Sequence, residues 1–454
     1  MTVKNEGGLE MAYTKEDIIN LIVENDVKFI RLQFTDIMGS LKNIAVTVGQ
    51  LEKALNNQCM LDGSSIEGFA GIEESDMYLK PDLDTFVIFP WRPQHGKVAR
   101  FICDIYTYDG KMFEGSPRYA LKKVVEKAKD MGYGLNIGSR CEFFLFQTDG
   151  DGQPTTIPHD KGAYLDLGPA DLGENVRREI CLTLEDMGYE IEESHHENAP
   201  GQHKIDFHYT EAIKAADDIM TMKLVVKTVA QRNGLFASFM PKPIGGANGS
   251  GMHTNISMTK DGVNIFYDAK DEKGLGLSDT AYKFMAGVLA HAKGMTLITN
   301  PTTNSYKRIN TGFEAPAYVA WSIANRSPLI RVSKLREGDA MVELRNPDAA
   351  CNPYLQLAAI ITAGLNGIEK NMQVPKLVKG DVNKLTNEER KDLNIERLPR
   401  DLGEAIKEFK ANEVIKEGIG KDIVQKYVAI KEQEWKNYQE EVFDWEFSRY
   451  FNIY

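Results

Sequence analysis

Apolar and polar positions alternate along this chain in two different ways. In the first ~110 residues, β-branched apolar runs at 27–34, 43–48, 85–89 and 99–105 predict strands. One short helix reaching Val23 is predicted ahead of them, because Thr14 and Asp17 have capping-box spacing. A polar, glycine-rich stretch, MLDGSSIEGFAGIEESD (60–76), interrupts these runs. A loop of that length in a compact domain is more often functional than idle. Pro117 sets the first turn of a helix to about Met131 and marks a boundary. The expected division is a tail (1–12), an N-terminal unit (13–115) and a C-terminal unit (116–454). In the second part, strand-like runs at 140–146, 204–209, 251–258, 329–332 and 341–345 mix with helical patterns at 172–187, 213–233, 279–297 and 353–371. Charges spaced through 402–438 read as solvated helices. No repeat period is visible, and the mixture predicts an α+β fold.

Period 2 sorts the side chains of these strands. Arg140, Glu142 and Phe144 fall on one face of 140–146, with Cys141, Phe143 and Leu145 on the other. His253, Asn255 and Ser257 share a face, and so do Met341, Glu343 and Arg345. One such strand is a solvated surface strand; several in one domain suggest a polar-lined cleft.

Composition narrows the class. A chain of 454 residues is too long for one ordinary core. With 42% hydrophobic and 26% charged residues, disordered, collagenous and low-complexity classes are excluded. A net charge of −12 argues against a surface dedicated to nucleic acid or anionic lipid. Cys59, Cys103, Cys141, Cys181 and Cys351 are scattered without CxxC spacing, as in a cytosolic protein with reduced thiols. The first residues carry no apolar signal core, Met11 offers an alternative start, and no run reaches the ~18 apolar residues of a membrane span. A cytoplasmic location is expected.

Two motifs stand out. NGSGMHTNIS (248–257) has a glycine-rich turn followed by a strand, so it lacks the helix N-terminus of a phosphate-binding loop. HHENAPGQH (195–203) offers three histidines and a glutamate around a Pro-Gly turn. A zinc site is one reading; without cysteine partners or HExxH spacing, a polar loop is the favoured one.

LDGSSIEGF (61–69), HHENAPGQH, MPKPIGGANGSGMHTN (240–255), YKRINTGFEAP (306–316), NRSPLIR (325–331) and VELRNPDAACNPY (342–354) together resemble type I glutamine synthetase, in order from about Tyr13 onward. The resemblance implies a β-grasp-like N-terminal domain, a larger C-terminal α/β catalytic domain, and a dodecamer of two hexameric rings with active sites between neighbouring subunits. It implies a two-step reaction in which ATP phosphorylates the glutamate side chain and ammonia displaces phosphate. Bringing two anions together calls for Mg²⁺ or Mn²⁺ and arginines. By resemblance, Asp62 binds ammonium with Ser65 and Tyr164 nearby. Asn248, Gly249, Arg308 and Arg345 match glutamate-binding positions, Glu314 matches a flap residue, and Arg326, Arg331 and Ser257 match nucleotide- or phosphate-facing positions.

The metal positions depart from the pattern. Glu142 and Glu197 remain at one site, where the third glutamate is Lys204. His253 and Glu343 remain at the other, where the remaining glutamate is Arg140. An arginine near the last ligand is Met341, the flap proline is Thr311, and the RIP-x-x-R-G segment reads RVSKLREG. In formal charge, Lys204 with Glu142 and Glu197, and Arg140 with Glu343, reproduce without metal the balance that metals give the family. Unit charges ~4 Å apart at an effective dielectric of ~20 interact by about 4 kcal/mol, so a dication would meet roughly 8 kcal/mol of repulsion from either basic group. The alternative is that both basic side chains turn outward and water completes the coordination. The expectation is therefore a homologue with metal binding and ATP-dependent ligation lost or weak, able to hold a glutamate-like ligand and to join a catalytic paralogue in mixed rings. The rivals are an active glutamine synthetase and a ligase joining glutamate to another amine. Residues 374–399 contain no tyrosine, so adenylylation-type control is not expected.

Overall fold

A computed structural model describes residues 12–69, 71, 75–91, 95–310, 314–332 and 340–454. The helix Lys15–Glu24 opens as its sequence requires: Asp17 N donates to the Thr14 hydroxyl and the Asp17 carboxylate accepts in return, while Ile18 and Ile22 turn one face inward. The small sheet holds β1 (Val27–Thr35), β2 (Leu41–Thr47), β3 (Cys59–Asp62), β4 (Asp76–Ile88) and β5 (Lys97–Thr107) in the order β2-β1-β5-β4-β3. The β1/β5 pairing is parallel; its neighbours are antiparallel. The stretch 60–76 is therefore not all loop. It begins in β3, turns through Gly63–Ser65, and ends in β4.

Ser116 caps the helix Pro117–Asp130. Its buried Arg118 reaches Asp82 at 2.7 Å, Asp104 at 2.8 Å and Asp217 at 2.9 Å, so one guanidinium ties the small sheet to the helix Ala212–Arg232. The second sheet comprises β6 (Gly134–Thr148), β7 (Pro154–Pro158), β8 (Ile191–His196), β9 (Gln202–Phe207), β10 (Thr210–Glu211), β11 (Leu235–Ser238), β12 (Met252–Lys260), β13 (Val263–Asn264), β14 (Trp321–Ile323), β15 (Ile330–Val332) and β16 (Val342–Leu344). Its main path is β14-β15-β16-β12-β6-β9-β8. Cys141, Phe143 and Leu145 face a core shared with Ile180, Leu184, Val225 and Val229, as the alternation requires.

A larger apolar cluster runs from Ile18 through the helices Asp279–Thr299 and Pro353–Glu369 to Tyr427. Those two helices touch backbone to backbone: a Cβ on Gly287 would lie 2.1 Å from the Ala363 carbonyl oxygen, and one on Gly367 2.1 Å from that of Lys283. The C-terminal helices Leu402–Ala411, Glu413–Ile419 and Lys421–Glu440 are less solvated than their charge suggests. Leu402, Ile406, Phe409, Ile415, Ile419 and Ile423 recur at helical spacing between the charges and are buried. Among the described residues no helix is long and apolar enough to cross a membrane.

Candidate active site

Register assembles the site. Antiparallel pairing sets Arg140 opposite His253 on one side and Asp206 on the other, with Asp206 opposite Glu193. Two residues along, Glu142 faces Lys204, which faces His195. Toward the other edge, Asn255 faces Glu343, and Glu343 faces Arg331. Side chains directly opposite share a face. The polar faces predicted for separate strands thus merge into one charged belt across β15, β16, β12, β6, β9 and β8.

The basic departures meet on one acid. Asp206 Oδ2 lies 2.9 Å from Lys204 Nζ and 3.2 Å from Arg140 Nε. Lys204 also lies 3.5 Å from Glu193 Oε1 and 3.4 Å from His195 Nε2. Burial pushes the Asp206 carboxyl up to about 7 although both cations pull it down. Burial works against the charge on Lys204 and Arg140, but Asp206, joined by Glu197 at Lys204 and by Glu343 at Arg140, more than offsets it and holds both above their ordinary values. The expectation paired Lys204 with Glu142 and Glu197, and Arg140 with Glu343; the ion-pair contact that both cations share is instead Asp206, although Glu142 stands opposite Lys204 in register and the charge of Lys204 still lowers Glu142 and Glu197. Asp206 was missed in the sequence, although it shares the parity of Lys204 within the 204–209 strand.

Glu142 is buried, and its Oε2 accepts from Gly251 N at 2.7 Å and Gln202 Nε2 at 3.3 Å. Burial raises its pKa. Burial first, and then the charge of Glu142, push the Glu197 carboxyl up to about 8, against the pull of Lys204. This pair holds a proton at neutral pH. Glu343 is occupied on both oxygens: Arg345 Nη1 lies 2.8 Å from Oε1 and Arg331 Nη1 2.7 Å from Oε2. His253 Nδ1 lies 3.4 Å from Oε1. Burial, Arg345 and Arg308 hold His253 well below the usual histidine range, so it is neutral.

Other expected residues fall around the belt. The Tyr164 ring meets His195 edge-on at 5.4 Å between centroids, and Arg326 is hydrogen-bonded to Tyr164. Glu314 adopts φ 53°, and its carbonyl accepts from Arg345 Nη2 at 3.4 Å. Arg308 is buried and donates to the carbonyls of Asn346 (2.7 Å) and Arg345 (3.2 Å). Gly249 accepts from Gln202 Nε2 through its carbonyl at 3.1 Å, and a Cβ there would lie 2.2 Å from the Pro241 oxygen. Asn248 precedes it in the chain, and Ser257 is buried in β12 opposite Asn136. The Tyr209 hydroxyl contacts Met341 sulfur. Asp62 and Ser65 stand apart. They bond each other at 2.9 Å on the small sheet, and among the described residues neither is bonded to the belt. Thr311 and 333–338 of the RVSKLREG segment lie outside the described residues.

HHENAPGQH is not the polar loop favoured from sequence. It is the β8/β9 hairpin, and His196 and His203 are fully buried. Among the described residues, the His, Cys, Asp and Glu donors that converge within 4.8 Å of one another are those of Asp160, Asp171, His196 and His203. No three of Glu142, Glu197, His253 and Glu343 do so.

Sequence comparison decides the family. Residues 26–108 match the glutamine synthetase β-grasp domain, and residues 114–450 match the glutamine synthetase catalytic domain. The chain belongs to the glutamine synthetase family. It is 58% identical over 442 residues to the protein named glutamine synthetase of Clostridium saccharobutylicum, covering 97% of this chain and 99% of that one. The corresponding Staphylococcus aureus (strain N315) protein is 53% identical over 443 residues, with the same coverage. Among solved structures, a GmaS/ADP complex superposes with a TM-score of 0.87 at 32% identity, covering 98% of this chain and 100% of that one. The electron cryo-microscopy structure of Plasmodium falciparum glutamine synthetase gives 0.86 at 25% identity, covering 97% and 99%. The β-grasp and catalytic-domain architecture read from the motifs is therefore correct, and glutamine synthetases as a family use ATP and a divalent metal.

Proposed function

We propose that this chain is a glutamine synthetase homologue that keeps the nucleotide and glutamate cradle but has exchanged its two-metal centre for fixed ion pairs, so that ATP-dependent glutamine formation is lost or weak. The observation that carries the reading is the Lys204–Asp206–Arg140 cluster, which puts two cations where the family pattern has glutamate ligands. The donor set does not fit two divalent ions. Glu343 has both oxygens on arginines, and among the described residues no three of the surviving donors converge. Retained Arg326, Arg331 and Arg345 support binding of an anionic ligand of the glutamate or nucleotide type, and the likeness to a chain solved with ADP supports the latter. A cytoplasmic homo-oligomer, the dodecamer implied by resemblance or a mixed ring with a catalytic paralogue, is part of the proposal. Exposed Trp445, Phe447 and Phe451 at the C-terminal end support contact between copies.

The second reading is an active glutamine synthetase of nitrogen assimilation. The names of the relatives at 58% and 53% identity favour it over the first, and the paired acids Glu142 and Glu197 would be its residual cation site. Titration calorimetry with Mn²⁺ and a non-hydrolysable ATP analogue separates the two, together with a glutamine-formation assay. The proposal expects no tight stoichiometric Mn²⁺ and little glutamine. Tight Mn²⁺ binding with glutamine at ordinary rates establishes the ligase. An amine screen read by phosphate release tests a ligase for another amine.

A further inference from the structure

The motif that the belt leaves unused lies on the buried side of the β8/β9 hairpin. His196 and His203 are fully buried, with ring centroids 4.9 Å apart. Asp160, from the loop after β7, and Asp171, before the helix Glu174–Asp186, close on them from outside the hairpin, and both are at least nine-tenths buried. One donor atom from each of the four lies within 4.8 Å of the others.

The cluster is incompletely satisfied. His203 Nε2, Asp160 Oδ2 and both oxygens of Asp171 have no hydrogen-bond partner, although buried polar atoms almost always have one. His196 Nδ1 donates to the Glu197 carbonyl oxygen at 2.7 Å, and its Nε2 points at the carboxylates, so without metal the ring donates from both nitrogens. Asp160 Oδ1 is anchored by Gly201 N at 2.8 Å and by His196 Nε2 at 2.9 Å, which leaves Oδ2 to turn inward. Space beside both imidazoles is kept by glycine: a Cβ on Gly162 would lie 2.7 Å from His196 Nε2, and one on Gly173 2.5 Å from His203 Nε2.

We propose that Asp160, Asp171, His196 and His203 form a closed structural site for one Zn²⁺, distinct from the charged belt. On binding, His196 would release its Nε2 proton to solvent, and two neutral imidazoles with two carboxylates then make an N₂O₂ set suited to a tetrahedral ion with no open position. The ion supplies one partner for His203 Nε2, Asp160 Oδ2 and Asp171 Oδ1. Arg177 balances the site from outside, 2.8 Å from Asp171 Oδ2. Its Nη1 also lies 2.9 Å from His203 Nδ1, so in the metal-free chain the His203 proton sits on Nε2. Binding moves that proton to Nδ1 and breaks this bond to Arg177, while the ion pair with Asp171 remains. The tether joins the 159–173 loop to the hairpin that carries Glu197 and Lys204.

The test is elemental analysis of the full-length protein, purified without chelator, dialysed against limiting Zn²⁺ and then desalted. One zinc per chain is expected, and Co²⁺ exchanged into it should show the intense visible absorption of a tetrahedral site. Asp171→Asn should lower the retained zinc at least tenfold while the far-ultraviolet circular dichroism stays native. His203→Gln should do the same, and Glu142→Gln, in the belt, should leave the zinc in place. Zinc-free protein after dialysis overturns the site. Zinc that survives Asp171→Asn but departs with Glu142→Gln also overturns it, and that result would at the same time return the belt to metal binding.

Discussion

Replacing both departures, Arg140→Glu with Lys204→Glu, reverses the charges on which the proposed function rests. In the parent, Lys204 attracts Asp206 across 2.9 Å and Glu193 across 3.5 Å, and Arg140 attracts Asp206 across 3.2 Å. At an effective dielectric of ~20 each attraction is worth about 5–6 kcal/mol before desolvation, and breaking a buried pair by removing one partner costs about 3–5 kcal/mol. The double variant turns three attractions into repulsions among carboxylates already crowded by Glu142 and Glu197. Without divalent ions it should be several kcal/mol less stable than the parent.

Added Mn²⁺ should then restore what the parent never needed. An ion bound only by the folded chain stabilises it by RT ln(1 + [M]/Kd), about 2.7 kcal/mol at a hundredfold excess over Kd. Urea unfolding with and without millimolar Mn²⁺, at constant trace zinc, reads both effects. The parent should shift by less than ~0.5 kcal/mol and the double variant by about 2–3 kcal/mol. A parent that gains as much as the variant would refute the reasoning, since Lys204 and Arg140 would then be no obstacle to the ion. So would a variant as stable as the parent in chelator.

Other expectations concern single groups. Glu197 has a folded pKa of about 8 against an ordinary 4.5, so the folded chain holds the extra proton between those values. Stability therefore falls as pH rises from about 4.5 to 8, by at most about 5 kcal/mol, and Glu197→Gln should flatten that slope in urea titrations at pH 5 and 8.5. Arg118→Met leaves Asp82, Asp104 and Asp217 without their shared partner and should cost about 3–5 kcal/mol in urea unfolding. Gly367→Ala forces a methyl to within 2.1 Å of the Lys283 oxygen and should destabilise by about 1–3 kcal/mol, read as a lowered Tm.

Much of this was legible from residue order alone, and the failures share a cause. Alternation put Arg140 with Glu142 and His253 with Asn255, and antiparallel register then joined those faces as drawn. Helix starts at Thr14 and Pro117 are visible because caps and first-turn prolines act within one turn of chain. What alternation cannot supply is which of several acids on one face a cation will reach. The family pattern groups Lys204 with Glu142 and Glu197, yet its amine goes to Asp206, two residues along its own strand. The same blindness made HHENAPGQH a polar loop: three histidines look solvated until β8 pairs with β9 and two of them turn into the interior.

That displacement changes how the charges balance, and it bears on how the chain tolerates its substitutions. Counted site by site, each basic residue would cancel one ligand set. In the folded chain the books are pooled instead: Arg140 and Lys204 answer Asp206 and Glu193, Arg331 and Arg345 answer Glu343, and Glu142 with Glu197 keeps a proton. A pooled balance predicts strong coupling, because altering Asp206 frees two cations at once. Lys204 would then be released toward Glu142 and Glu197, whose pKa values should fall as it approaches. Asp206 is therefore the residue that separates the two halves of the belt, holding the cations on β6 and β9 away from the acids beside them.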